Sequence, residues 1–318
     1  MTNQQQEEQV CQLKLQGVSH RDISEQVFGV RSKASTVHYI LKRRGLLGGD
    51  GENASDSDTG ARILLLDIET APMEAYIWSQ WQKFISLDML KVDWYIIAWA
   101  AKWLGEDEIY YKDVRATVGE EEDGSIMGDL WDLLDEADIV VTQNGDKFDI
   151  PKINSRFLAN GYQPPSPYRK VDILKINKRV FGHTSNKLEY LAEKFNVHFK
   201  KLQHEMFPGF KLWKACLNKV SAAWEEMEVY NKHDVLSLEE LYIKLAPWDN
   251  KHPNVNVYTD SHDVKCTCGC TEWERYGYAY TNLSRFQQYR CKKCGKVQRG
   301  RVNLLSKEKR KSLTMNVL

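Results

Sequence analysis

The sequence has no apolar run near the roughly 20 residues of a membrane span, so a bilayer-crossing helix is not expected. Residues 1–10 are polar and acidic and lack the basic and apolar regions of a secretory leader. A cytoplasmic location with no membrane partner is therefore expected. Cysteine is scarce outside one stretch. Five of the seven fall between positions 266 and 294, which points to metal binding in a reducing compartment and away from disulfides. Cys11 and Cys216 read as small core residues. Net charge is also absent, with 44 basic and 44 acidic residues.

The zero balance hides an uneven distribution. Residues 1–45 carry seven basic and four acidic residues, residues 46–61 carry four acids and no base, and residues 251–318 carry fourteen basic and five acidic. The middle, 62–250, holds 23 basic and 31 acidic residues. Basic ends suit phosphate contact, and an acidic middle suits a cation site. At 318 residues the chain has room for about two cored domains.

Residues 1–45 read as three short helices, broken at Gly17 and Gly29, with Ser19 as a cap of the second. Their pattern resembles the helix-turn-helix of resolvase-like and transposase-like DNA-binding modules. That resemblance implies a third helix presenting Ser35, Thr36, His38, Tyr39, Lys42 and Arg43 to a groove; a protein-binding helical bundle is the alternative. Residues 46–61, rich in Gly, Ser, Asp and Asn, read as a flexible acidic linker. Strands are expected at 63–68, 75–79, 94–103, 108–114 and 138–142, with 170–173 as a strand end or turn. Helices are expected at 126–136, 151–159, 187–195 and 224–245. Strands first, then alternating helix and strand, predict an α/β domain over 62–250 with a mixed sheet and flanking helices.

The chemistry centres on Asp67-Ile68-Glu69. A buried apolar run, Ile63 to Leu66, leads into it. Side chains alternate along a strand, so both carboxylates point to one side. Two acids side by side at a buried strand end repel each other and call for a hard divalent cation such as Mg²⁺ or Mn²⁺. Two solvated acids at a strand end are the plainer alternative. Two further acidic motifs follow. Asn144-Gly-Asp-Lys-Phe148-Asp149-Ile-Pro151 leaves a buried strand through a turn and enters a helix. Tyr230-Asn-Lys-His-Asp234 places Tyr230 and Asp234 on one face of a predicted helix.

In this order and spacing the three motifs resemble the DEDD superfamily of 3′–5′ exonucleases, in its tyrosine variant. They are most similar to the proofreading exonuclease domain of family B DNA polymerases. Ser185-Asn-Lys-Leu-Glu-Tyr-Leu-Ala192 resembles a helix found there between the second and third motifs. The likeness covers about residues 62–248 with no polymerase region after it, as in phage-encoded stand-alone members. It implies a ribonuclease H-like fold and two cations roughly 3.5–4 Å apart that clamp the attacking and leaving oxygens. Asp67, Glu69, Asp149 and Asp234 would be the ligands. Tyr230 would orient the attacking water, its phenol being a poor base. The histidine variant places its histidine where this chain has Val229, and His233 points elsewhere on the helix. Thr70, Asn144 and Phe148 would hold the terminal nucleotide, unless Thr70 is a turn residue and Phe148 core. Arg156 would meet a phosphate or pair with an acid. Asp146 reads as a turn residue.

After His252 the chain turns basic and cysteine-rich. Cys266-Thr-Cys268-Gly-Cys270 and Cys291-Lys-Lys-Cys294 flank hairpin-like sequence and read as a zinc ribbon over 251–318. The ligands of one structural Zn²⁺ would be Cys266, Cys268, Cys291 and Cys294, with Cys270 as a substitute for Cys266. Trp273, Tyr276, Tyr278, Tyr280, Phe286 and Tyr289 interleave with Arg275, Arg285, Arg290, Lys292 and Lys293. Rings beside cations suit single-strand binding, although a small domain also needs rings as core. The expected function is metal-dependent 3′–5′ exonuclease action on single-stranded DNA or 3′ ends, with RNA as another substrate. A ribonuclease H-like endonuclease, resolvase or transposase, and a non-catalytic DNA-binding regulator, are the alternatives.

Overall fold

The computed structural model describes residues 3–15, 20–29, 37, 40, 41, 44, 60–118, 122–199 and 206–316. Two helices open the chain, α1 (Asn3–Leu15) and α2 (His20–Phe28). Gly29 ends the second with φ 73°, a backbone region that favours glycine. Val10, Ile23 and Val27 are buried with Val37, Ile40 and Leu41 in a small core. The groove-facing residues expected of the third helix, Ser35, Thr36, His38, Tyr39, Lys42 and Arg43, lie outside the described residues. So do residues 46–59 of the linker.

The main sheet begins with β1 (Ile63–Thr70). A small two-stranded pair follows, β2 (Glu74–Ala75) with β3 (Leu90–Val92), and then β4 (Ile96–Trp103) and β5 (Ile109–Asp113). Next come α3 (Gly124–Glu136), β6 (Ile139–Thr142), α4 (Asp149–Ala159) and β7 (Arg169–Asp172). Four helices complete the unit: α5 (Ile173–Val180), α6 (Leu188–Lys194), α7 (Lys211–Leu217) and the long α8 (Ser221–Leu245). The five-stranded order is β5-β4-β1-β6-β7. β1 pairs antiparallel with β4 and parallel with β6, so the sheet is mixed. A second sheet, β10-β9-β8, is formed by β8 (Trp273–Thr281), β9 (Ser284–Cys291) and β10 (Val297–Asn303), followed by α9 (Lys307–Lys311).

Alternation along β1 divides the core. Leu64, Leu66 and Ile68 join one cluster, with Trp99, Leu130, Ile153 and Trp224. Ile63 and Leu65 join the other, with Val141, Ile176, Leu191, Val235 and Leu241. α8 serves both: Ala223, Trp224, Met227 and Tyr230 pack in the first, and Val235 through Leu245 supply the second. The polar residues Tyr230, Asn231 and Asp234 sit where the helix passes from one to the other. The buried Lys102 of β4 pairs with Glu239 of α8 at 2.6 Å, tying helix to sheet.

The structure refines three local expectations. The strand expected at 75–79 is only β2, and Tyr76, Ile77 and Trp78 are exposed. Aromatic and β-branched residues favour strands only where a pleated surface receives them, and here only β3 pairs with this segment. Of the strand end or turn expected at 170–173, the strand end is observed: β7 runs directly into α5, whose start Asp172 caps by accepting from Leu174 N at 2.9 Å. The helix at 211–217 was not anticipated.

A tight turn joins β6 to α4. Asn144 has φ 66° and donates its N–H to Asp172 at 2.9 Å, and Phe148 N donates to Asn144 O at 3.1 Å. A Cβ on Gly145 would lie 2.1 Å from Thr142 Oγ1, on a side chain that is itself buried. Gly145→Ala is therefore expected to destabilise the fold by about 1–3 kcal/mol, read as a lower urea midpoint with an unchanged m-value. An unchanged midpoint would show that the turn can yield.

Candidate active site

β1 carries the first two acids to the rim of the sheet. A register shift against β4 falls between Glu69 and Thr70, and such bulges re-aim side chains. α8 brings Asp234, four residues after Tyr230 on the same face. Carboxylate oxygens of Asp67, Glu69 and Asp234 lie within 4.8 Å of one another. Asp149, at the start of α4, is buried beside them, and its Oδ1 accepts from Ile68 N at 3.2 Å. Three separate elements thus deliver four acids to one place.

The electrostatics follow from that crowding. Burial, and then the charges of Glu69, Asp149 and Asp234, hold the Asp67 carboxyl far above the usual carboxylate range; the amide of Asn231 works against this. Asn231 Nδ2 donates to Asp67 Oδ2 at 2.7 Å. Burial pushes Asp149 up to about 7, opposed by the backbone N–H of Ile68. The Tyr230 phenol is raised far beyond its ordinary value by burial and then by Asp234, Glu69 and Asp67. It stays protonated and can only donate or accept a hydrogen bond. An oxygen-only donor set whose members repel one another fits a hard divalent cation.

The remaining sequence candidates are placed as follows. Thr70 ends β1 opposite Ile96, immediately past the bulge. Asn144 heads the strained turn, and Phe148 is partly exposed next to Asp149. Arg156 binds the fully buried Asp123, with Nε at 2.6 Å and the second nitrogen, NH2, at 2.8 Å, so the acid-pairing alternative describes its state in this structure. Asp123 also accepts from Ile96 N and Asn160 Nδ2. Asp146 pairs with Lys170 and Lys175. His233 packs edge-on against the Phe199 ring, with centroids 5.5 Å apart. Asn231 and the capping role of Asp172 went unassigned in the sequence; the available signal for Asn231 was a polar residue on the buried stripe of α8.

The cysteine cluster forms at the edge of the three-stranded sheet. Sγ atoms of Cys266, Cys268, Cys291 and Cys294 lie within 4.8 Å of one another, a set compatible with a zinc ribbon. Each knuckle closes on a glycine of positive φ: Gly269 N donates to Cys266 O at 2.8 Å, and Gly295 N to Cys291 O at 3.0 Å. Cys270 stands apart, its sulfur accepting from Glu272 N at 3.3 Å. Gln298 Nε2 donates to Cys266 Sγ at 3.0 Å. On the strands, Arg290 lies 3.9 Å from the Tyr276 ring centroid and Arg285 lies 5.1 Å from that of Tyr278. Phe286 is buried and serves as core, whereas Tyr276, Tyr278 and Tyr280 face outward.

Among known families, a model described as the RNase_H superfamily matches residues 96–246. The matched stretch contains Asp149, Tyr230 and Asp234 and begins after β1, which carries Asp67 and Glu69. No curated protein matches. Among solved structures, the family B DNA polymerase from the hyperthermophilic archaeon Pyrobaculum calidifontis is similar over 63% of this chain at 19% identity, with a TM-score of 0.45. The likeness covers 26% of that polymerase, so this chain spans about a quarter of its length. The fold is ribonuclease H-like, with a mixed five-stranded sheet and flanking helices.

The raised pKa of Asp149 sets a pH dependence. An unfolded Asp loses its proton near 3.9, whereas the folded group holds it to about 7. Between those values the native state binds the extra proton, so stability falls as pH rises. In EDTA the unfolding free energy from urea titrations is expected to fall between pH 4.5 and 7.5, by up to about 1.4 kcal/mol per pH unit for this group. Asp149→Asn should flatten the slope, and Mg²⁺ or Mn²⁺ should restore most stability at the upper end. A slope that Asp149→Asn leaves unchanged would count against this assignment.

Proposed function

We propose that the protein is a metal-dependent 3′–5′ exonuclease acting on single strands or frayed 3′ ends of nucleic acid. The observation that carries this reading is the convergence of Asp67, Glu69 and Asp234, with Asp149 and Tyr230 beside them, on a ribonuclease H-like nuclease fold. The four acids would hold two divalent cations. When bound, these lower the pKa of an attacking water and neutralise charge on the departing 3′-oxygen.

The chain's own groups do the rest. Asn231 fixes the orientation of Asp67 through its amide, and the Ile68 N–H fixes Asp149. Tyr230, kept protonated, orients the water by hydrogen bond rather than taking its proton. Thr70, Asn144 and Phe148 would hold the terminal nucleoside. Water attacks phosphorus, the bond to the 3′-oxygen breaks, and a nucleoside 5′-monophosphate leaves.

The flanking parts fit delivery of the substrate. Cys266, Cys268, Cys291 and Cys294 would hold one structural Zn²⁺, and the exposed Tyr–Arg pairs of the ribbon would stack bases beside phosphates. Residues 1–45, as a helix-turn-helix tethered by residues 46–61, would add a second nucleic-acid contact.

A 5′-labelled single-stranded oligonucleotide with Mg²⁺ or Mn²⁺ should shorten from its 3′ end one nucleotide at a time. EDTA and Asp67→Ala should each abolish the ladder, while Asp67→Ala retains binding. Tyr230→Phe should slow cleavage by roughly 10²-fold with little change in affinity. Discrete internal cuts would instead favour an endonuclease, and binding without cleavage a regulator. Removing residues 251–318 should weaken binding more than it slows the chemistry.

A further inference from the structure

Between Thr70 and Ile96 the chain leaves the sheet and returns to it. Only β2 and β3, two and three residues long, pair within this excursion. Its ends are clipped together at the rim of the acidic site, where Ala71 N donates to Tyr95 O at 2.9 Å. Between the ends stand Tyr76, Trp78, Trp81, Phe84 and Leu87, with Trp78 90% exposed, Trp81 89% and Phe84 87%. Rings this bare are unusual, since large apolar side chains are normally buried or covered by a partner.

The arm has a defined shape. Tyr76 N donates to Met89 O at 2.9 Å and Gln82 N to Ser79 O at 3.2 Å. The Gln82 side chain braces the tip from within: its oxygen accepts from Trp78 N at 3.0 Å and its nitrogen donates to Phe84 O at 2.9 Å. The brace uses the backbone at the ring-bearing positions, so the rings themselves stay outside.

The arm's root joins the site through a cation. Lys152 lies one turn beyond Asp149 on α4. Its Nζ sits 3.5 Å from the Trp94 ring centroid and 5.2 Å from that of Phe148. Phe148, Lys152 and Trp94 thus lead from the acids to the base of the arm. The excursion itself carries three acids and two bases over 71–94, one acid–base pair of which, Glu74 with Lys91, is joined. It has no cationic surface for phosphates and offers ring faces.

We propose that this arm is a base-stacking platform for the single strand of nucleic acid that enters the acidic site. The proposal rests on the reading of that site as a nuclease centre. Stacking on aromatic rings tolerates any base sequence, which suits an enzyme that must follow a strand as it shortens. Lys152 meets the phosphate nearest the site, and Trp78, Trp81 and Phe84 take bases farther along the strand.

Two measurements on the full chain separate this proposal from the nuclease reading. The first is equilibrium binding of a fluorescein-labelled dT20 in EDTA, followed by anisotropy at several salt concentrations. Trp78→Ala, Trp81→Ala and Phe84→Ala should each weaken binding by roughly five- to a hundredfold. They should leave the slope of log affinity against log salt unchanged, because they remove no phosphate contact. Lys152→Ala should make that slope shallower by about one contact. The second is hydrolysis of thymidine 5′-(p-nitrophenyl) phosphate with Mn²⁺, a substrate too small to reach the arm. The three arm variants should hydrolyse it as the unsubstituted protein does, which also reports an intact fold. Failure of the unsubstituted protein to hydrolyse either this ester or an oligonucleotide would overturn the nuclease reading, whatever the arm binds. Ester hydrolysis with unchanged dT20 binding in all three arm variants would overturn the arm proposal alone. So would a self-association that the arm variants abolish while dT20 affinity stays constant, since a second copy would then be the arm's occupant.

Discussion

Four carboxylates brought together in a buried place are the constraint around which this fold is arranged. Burial raises the proton affinity of Asp67 and Asp149, and the charges of Glu69, Asp149 and Asp234 raise that of Asp67 further. Left to itself such a cluster would loosen its own supports. It is held because each acid grows from an element that is committed elsewhere. β1 is central in the sheet and buried on both faces along its first half. α4 is anchored by Ile150, Ile153 and Phe157, and α8 by two cores at once. The acids can tolerate mutual repulsion because the apolar contacts that fix their backbones lie on either side of them.

A second layer of aspartates holds the loops between those elements. Asp172 accepts from Asn144 N and Leu174 N, so one carboxylate fixes the turn before α4 and caps α5. Asp123 gathers Arg156 and Asn160 from α4 and its C-terminal cap, and the Ile96 N–H from β4. Buried polar groups of this kind cost free energy unless satisfied, and these are multiply satisfied. They have no place in the proposed chemistry, yet they define where Asp149 starts its helix and where β4 begins.

The aromatic residues divide in a similar way. Phe286 fills the small core of the three-stranded sheet, and Trp99 and Trp224 fill the first large core. Trp78, Trp81 and Phe84 on the arm, and Tyr280 on the ribbon, are left in solvent. Composition alone does not distinguish the two groups, because the arm's sequence is as apolar as a strand. The difference is the absence of a receiving surface beyond β3, and the exposed groups are the ones with ring faces to offer a substrate.

The sequence by itself determined the order and type of the main elements, the acidic motifs and the cysteine spacing. These are local properties: a buried run of β1 length, the four-residue interval between Tyr230 and Asp234, and paired knuckle cysteines are set by backbone periodicity. Tertiary structure alone decided which partner each polar side chain meets. Nothing within the neighbourhood of Arg156 in the chain indicates that Asp123, 33 residues earlier, would engage it. Asn231 could be assigned to Asp67 only once α8 lay across β1, a contact spanning 164 positions. Cys270 was separated from Cys266 by the turn that points its sulfur at Glu272. The exposed fate of residues 76–87 was likewise set by the lack of a neighbouring strand. Periodicity shows which side of its own element a residue faces, whereas partners are fixed by how the elements pack, and packing depends on the whole chain.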